Sequence, residues 1–289
     1  AAVTVKTVDG TGNGKAGYLI RIFNGPDGVG TEWGNATTNS NGQATFYLPE
    51  GSFGYRVDRT GASSAKAGFV VGTGTDQTLI YRLATVTIKT VDSAGNGKAG
   101  QLVRVYNGTG GSGTEWGNAT TDSSGQAKFY LLEGPFEYRV ERSGATSAKV
   151  GFSVVSGIDQ ALTYTLAKIT IRTADSVGTG KAGYLVRVYN GNGGTGAEWG
   201  NATTNSAGEA VFDLFDGSYA YRIERSGAVS ANSGFSVIHS TDQILTYTLA
   251  KVTVQVVDVN GVGKPGYLVR VYNGTGGSGS EWGNATTTS

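Results

Sequence analysis

The sequence predicts an all-β chain built as a tandem array of small, seven-stranded antiparallel sandwiches. Three observations predict it. Trp33, Trp116, Trp199 and Trp282 are spaced 83 residues apart, and Gly51, Gly134 and Gly217, or Tyr81, Tyr164 and Tyr247, keep the same spacing, as repeated structural units do. Apolar side chains alternate with polar ones at period two, the pattern of strands that bury one face. Glycine takes 48 of the 289 positions, more than helix-rich domains tolerate and in keeping with many tight turns. The expected domains are repeats 1–83, 84–166 and 167–249, followed by 250–289 as the first half of an incomplete fourth.

In the first repeat, Val3 and Val5 open a strand. Tyr18, Ile20 and Ile22 alternate with Leu19 and Arg21; Ala44, Phe46 and Leu48 with Thr45 and Tyr47; Phe53, Tyr55 and Val57 with Gly54 and Arg56. Two more strands are expected near 65–71 and 77–83. Between them lie "DGTGNGKAG", "NGPDGVG", "NSNGQ" and "PEG", rich in the Gly and Asn that positive-φ turns require. Half-polar sheets must bury their apolar faces against something, and two sheets facing each other satisfy that need.

The joints are short. "TLIYRLATVTIKT" and "TYTLAKITIRT" run from the last strand of one repeat into the first of the next with about one residue between. A linker that short leaves no flexible spacer, so a stiff rod is expected.

Composition excludes several classes. A formal net charge of +1 with 16% charged residues and no charge run offers no footprint for nucleic acid or anionic lipid. Absent cysteine rules out disulfides, thiolate zinc and a cysteine nucleophile. No segment reaches the roughly 18 apolar residues that suggest a membrane-spanning helix. The lack of methionine points to a mature segment from which a leader has been removed.

Chemistry is sparse as well. The single histidine, His239, is matched by Ser156 and Thr73 in the other repeats, so no repeated catalytic triad or histidine metal centre is expected. Asp9 is expected to turn its loop through an Asx hydrogen bond and Asp58 to pair with Arg56 or Arg59. Calcium needs six to eight oxygens, yet Asn13 of the first loop becomes Thr179 and Val262. "GTGNGK" lacks the spacing and following helix of a phosphate loop. Neither cofactor, metal site nor catalytic residue is expected.

One stretch, "EWGNATT", recurs in all four repeats. Its Asn35, Asn118, Asn201 and Asn284 head N-A-T triplets, and Asn107 and Asn273 head N-G-T triplets; all six are candidate glycan acceptors. Trp33, Trp116, Trp199 and Trp282 can each bury a large apolar area between the two sheets, stack on a sugar ring beside the acid and the Asn, or pack on the surface against the next domain or a neighbouring fibre strand. A packing or interface role is the favoured reading.

"VTVKTVDGTGNGKAGYLIRIFN" followed by "TTNSNGQATFYLPEGSFGYRV" resembles the prealbumin-like Ig-type modules, namely carboxypeptidase regulatory-like domains and the B-type repeats of Gram-positive collagen adhesins and pilins. The features that match are the strand ending in Asp9, the G-K-A-G bend, and the ladder of Gly42, Ala44, Phe46, Leu48, Gly51, Phe53 and Tyr55. The resemblance implies an Ig-like fold and a role in stalks or surface fibres. Some pilin relatives carry a Lys to Asn isopeptide bond from the first strand; here that position holds Lys6 and Lys89, then Arg172 and Gln255.

Together these readings predict an extracellular or cell-surface structural protein, not an enzyme, forming a rod, stalk or filament. The expected partners are copies of itself and surface glycans or host matrix ligands. The alternative is a multivalent carbohydrate-binding array.

Overall fold

A computed structural model describes residues 1–110 and 113–288. Gly111 and Ser112, within the expected second repeat, and Ser289, the last residue of the expected fourth, lie outside the described residues.

The first repeat holds β1 (Ala2–Val8), β2 (Leu19–Asn24), β3 (Glu32–Thr37), β4 (Gln43–Tyr47), β5 (Gly51–Arg59), β6 (Ala62–Ser63), β7 (Ala67–Val71) and β8 (Gln77–Arg82). Seven of these have five residues or more, and β6 has two. They form two sheets, β4-β1-β8 and β3-β2-β5-β6, with β7 added on β5.

The same order returns twice. The second repeat holds β9 (Ala84–Val91), β10 (Leu102–Asn107), β11 (Glu115–Thr120), β12 (Gln126–Leu131), β13 (Gly134–Arg142), β14 (Ala145–Thr146), β15 (Val150–Val154) and β16 (Gln160–Thr165). The third holds β17 (Ala167–Ala174), β18 (Leu185–Asn190), β19 (Glu198–Thr203), β20 (Glu209–Leu214), β21 (Gly217–Arg225), β22 (Ala228–Val229), β23 (Ser233–Val237) and β24 (Gln243–Thr248). The chain is therefore all-β, a tandem array of small Ig-like sandwiches.

Register places the core where the alternation predicts it. Val3 lies opposite Phe46 and Val5 opposite Ala44, while Ile20 faces Val57 and Ile22 faces Tyr55 in the second sheet. All eight side chains are buried, and period-two strands turn the residues between them outward. Lys6 pairs with Gln43 on the side opposite Val5.

One pair departs from the antiparallel expectation: β1 and β8 run parallel, from Val3 opposite Gln77 to Val8 opposite Arg82. The cause is topological. A tandem array must enter a domain at one end and leave at the other, so its first and last strands, when adjacent, point the same way. Leu83 alone separates β8 from β9, and Leu83 and Ala84 are fully buried.

Contacts group the chain into two compact units, Ala1–Glu141 with Ser147–Tyr164, and Arg142–Thr146 with Thr165–Ser289. Repeats 1 and 2 thus share the first unit except for the hairpin that β14 closes and the last two residues, 165–166.

In residues 250–288, β25 (Leu268–Tyr272) pairs with β26 (Glu281–Thr286), a 3-10 turn spans Thr275–Gly277, and Val257 bridges to Gly263. Residues 251–256 form no strand. An open apolar hollow of about 820 Å³ is lined by Val252, Val254, Val269, Val271 and Trp282.

Candidate functional site

"EWGNAT" is a strand, the outer edge of its sheet, in all four repeats. A bulge sets it apart: Gly34 lies opposite Ile22 but Glu32 opposite Phe23, so Trp33 is the extra residue. Bulges re-aim side chains. This one puts Glu32 on the outward face beside Asn35 and leaves the Trp at the end of the sheet.

On that outward face a polar ladder crosses the sheet. Asn35 donates to Glu32 at 2.7 Å, Arg21 reaches Glu32 at 2.8 Å and Asp58 at 2.7 Å, and Arg56 meets Asp58 at 2.8 Å. The counterparts repeat it: Arg104 bridges Glu115 and Glu141, and Arg187 bridges Glu198 and Glu224. Hydrogen bonds from Asn35 and then Arg21 hold the Glu32 carboxyl below its ordinary range. Each of these acids already has its partners, and the ladder offers no free carboxylate pair for acid and base chemistry.

Asp9 behaves as its loop predicts. Its Oδ1 accepts from the Thr11 and Asn13 amides, each at 3.0 Å, and Lys15 Nζ lies 2.9 Å from Oδ2. Burial alone would raise this carboxyl, but Lys15 and the Thr11 and Asn13 donors outweigh it and hold it well below the usual carboxylate range. The same Lys–Asp pair recurs as Lys98–Asp92, Lys181–Asp175 and Lys264–Asp258. A lysine ammonium therefore stands where a calcium ion would need the oxygen. Among the described residues no three His, Cys, Asp or Glu side chains converge as metal ligands. His239 sits in a turn, 3.8 Å from Asp216.

The most elaborate arrangement is the joint between repeats 1 and 2. The β5–β6 hairpin turns at Thr60 and Gly61, with φ of 48° and 78°, the two positive values of a tight type I′ turn. That turn points the Thr60 carbonyl at repeat 2, where Asn107 Nδ2 donates to it at 2.9 Å. Arg59, just before the turn, lies over the rings of Tyr18 and Trp116 at 4.8 and 5.2 Å. Tyr18 and Trp116 themselves pack at 6.2 Å between ring centroids. The Tyr18 hydroxyl donates to the Tyr130 carbonyl at 2.9 Å, and Lys15 Nζ sits 3.6 Å from the Tyr130 ring centre. Glu133 accepts from the Ala65 amide. Desolvation pushes the Tyr18 phenol up, against the nearby Arg59 charge.

The second compact unit repeats the motif. Arg225 lies over Tyr184 at 4.7 Å and Trp282 at 5.8 Å, and Asn273 donates to the Ser226 carbonyl. Within that unit, too, Arg142 lies 5.4 Å from the Trp199 ring, and Asn190 donates to the Ser143 carbonyl at 2.6 Å. Ser143 and Ser226 share the positive φ of Thr60.

The sequence candidates thus fall in two places. Asn35, Asn118, Asn201 and Asn284 are exposed on the ladder, each donating to the Glu three residues before it. Asn107 and Asn273 are committed to joints. Trp116 and Trp199 are buried, Trp282 is half-buried, and Trp33 is 49% exposed. Sequence reasoning missed Arg59, Arg142 and Arg225 as joint residues. Their recurrence before Thr-Gly or Ser-Gly was the available signal.

No protein-family model matches the chain, and neither does any curated protein. Among solved structures it is similar to the TIE protein of Bacillus anthracis, 19% identical with a TM-score of 0.25 over 86% of this chain and 50% of that one. It is also similar to BcpA, the major pilin subunit of Bacillus cereus, 12% identical with a TM-score of 0.26 over 86% and 98%. A streptococcal ancillary pilin is 12% identical with a TM-score of 0.27 over 85% and 98%. The chain spans half the length of the TIE protein. Likenesses at these TM-scores say nothing of function, and the fold rests on sheet order and register.

Proposed function

We propose that this chain is a structural repeat protein of the cell surface or extracellular space, whose Ig-like domains 1–83, 84–166 and 167–249, with 250–289 opening a fourth, make a stiff rod, stalk or filament. One observation carries the reading: the joint of a single buried residue, Leu83, reinforced by an Arg–Tyr–Trp stack and an Asn to carbonyl hydrogen bond. A flexible string of beads has no use for such a joint. The ladder acids and the loop aspartates are tied up in ion pairs and turns, which favours a scaffold over an enzyme.

Glycan attachment belongs to Asn35, Asn118, Asn201 and Asn284, which face solvent on an edge strand. At Asn107 and Asn273 the same amide nitrogen holds a joint together. A sugar-binding role for the tryptophans has less support, because Trp116 and Trp199 are buried.

Electron microscopy and small-angle scattering of the purified chain test the rod. The expected result is an extended particle of narrow length distribution, and the result that refutes it is a broad range of bent shapes. Intact mass of natural material reads the glycans, with peptide mapping to place them.

A further inference from the structure

At each joint the side chain that reaches back to the preceding repeat is an asparagine followed by a glycine: Asn107–Gly108, Asn190–Gly191 and Asn273–Gly274. An Asn-Gly pair is chemically labile, because glycine has no Cβ to keep its backbone nitrogen away from the asparagine side-chain carbon. Both reacting groups are restrained here. Asn107 Nδ2 donates to the Thr60 carbonyl at 2.9 Å, and the Gly108 amide donates to the Pro135 carbonyl at 2.8 Å. Asn190 Nδ2 donates to the Ser143 carbonyl at 2.6 Å, and the Gly191 amide to the Ser218 carbonyl at 2.8 Å. The remaining carboxamide oxygen, Oδ1 of Asn107 or Asn190, is shut off from solvent and has no hydrogen-bond partner among the described residues.

We propose that Asn107–Gly108 and Asn190–Gly191 are deamidation sites that the closed joint protects and whose conversion unlatches it. The Gly108 nitrogen gives up its proton and bonds to Asn107 Cγ, the Cγ–Nδ2 bond breaks, and ammonia leaves carrying that proton. Water then opens the cyclic imide to aspartate or isoaspartate, so an ammonia departs, a water is consumed and nothing is oxidised or reduced. Ring closure needs the glycine amide released from its partner on the neighbouring strand and the carboxamide free to turn, so it proceeds through the opened joint. The product cannot restore the contact. A carboxylate has no N–H for the Thr60 carbonyl, so two acceptors face each other, and its charge spreads onto the solvent-excluded, partnerless Oδ1. Isoaspartate also adds a methylene to the backbone at the end of β10, where Asn107 is paired with Phe136. The joint therefore loosens irreversibly with time. This chemistry rests on the joint contacts alone and goes beyond the structural role proposed above.

Peptide mapping of the whole chain after incubation in warm, mildly alkaline buffer tests it. Aspartate and isoaspartate at Asn107 and Asn190 are read against Asn96–Gly97, whose exposed carboxamide donates to Asp92 within its own loop at 3.1 Å. The expected result is slower conversion at Asn107 and Asn190 than at Asn96. Arg59→Ala removes the cation over Tyr18 and Trp116 and should speed conversion at Asn107 about 2- to 30-fold, leaving Asn190 and Asn96 at their wild-type rates. Asn107→Asp installs a product directly, and hydrogen exchange of residues 57–66 should rise above that of the wild type and of Asn107→Ala, which loses the hydrogen bond without adding charge. Circular dichroism checks that these variants stay folded; if Asn107→Asp does not, the conversion rates decide alone. Conversion at Asn107 and Asn190 as fast as at Asn96, no acceleration in Arg59→Ala, or a folded Asn107→Asp that exchanges no faster than the wild type overturns the inference. Electron microscopy of fresh, unconverted protein reads the rod independently of that outcome.

Discussion

Removing the same side chain at two equivalent positions gives the sharpest test of the joint. Trp33 and Trp116 occupy identical places in successive repeats, but Trp33 is 49% and Trp116 7% exposed, so Trp116 hides about two fifths more of its surface. Taking roughly 150–250 Å² for a buried tryptophan, that is ~60–100 Å², or ~1.5–2.5 kcal/mol at ~25 cal/mol per Å². Loss of the Arg59 contact over the ring adds ~0.5–2 kcal/mol. Trp116→Ala should therefore fall in the ~3–5 kcal/mol range of buried aromatic truncations, and Trp33→Ala about 2 kcal/mol or more below it. A tandem array need not unfold in one step, so hydrogen exchange of peptides from 84–166 and from 1–83 is the assay, each repeat reporting its own opening free energy. Equal losses in the two variants, or a larger loss from Trp33→Ala, would refute the packing role assigned to Trp116.

Two further outcomes follow from local geometry. Gly125 has φ of 77°, and a Cβ there would lie 2.4 Å from the Thr90 carbonyl oxygen; Gly125→Ala should cost ~2–4 kcal/mol in the exchange of 84–166, while Gly117→Ala, with open space around it, should change little. Acid should loosen the loops: the Lys98 contact, against the opposing effect of burial, draws Asp92 down to about 2 with help from Asn96. A carboxyl whose folded value is depressed contributes fully above its unfolded value of about 4 and loses that contribution as pH falls through the folded one. Melting temperature should thus hold steady above about pH 5 and drop between about 4 and 2, with Asp92→Asn flattening part of the drop.

Much of the fold was legible in the residues. Val3, Val5, Phe46 and Val57 are buried where period-two alternation puts them, because each sheet has one wet face and one dry one. β3 was not legible, since Trp-Gly-Asn-Ala-Thr has no apolar alternation and a bulge breaks its register. Strand direction is equally silent in residue types, so the parallel β1–β8 pair came only from the structure. Asp58 was expected to pair with Arg56 or Arg59; it pairs with Arg56 and with Arg21 across the sheet. Arg59 leaves it because the strand ends there and the I′ turn swings that side chain onto Tyr18 and Trp116. A contact between repeats depends on how two domains meet, which no pattern inside one repeat records.

The parallel pairing of β1 with β8 has a mechanical meaning. A chain under tension is pulled at Ala1 one way and at Leu83 the other, which slides these two neighbouring strands along each other. Six residue pairs, from Val3–Gln77 to Val8–Arg82, then carry the load together, and none can be peeled open ahead of the rest as in a hairpin pulled from its ends. Force enters the next repeat through β9, whose neighbour β16 completes the same sheet. Repeats 1 and 3 are each wired as a shear clamp, and an array of such domains resists stretching until a whole clamp lets go.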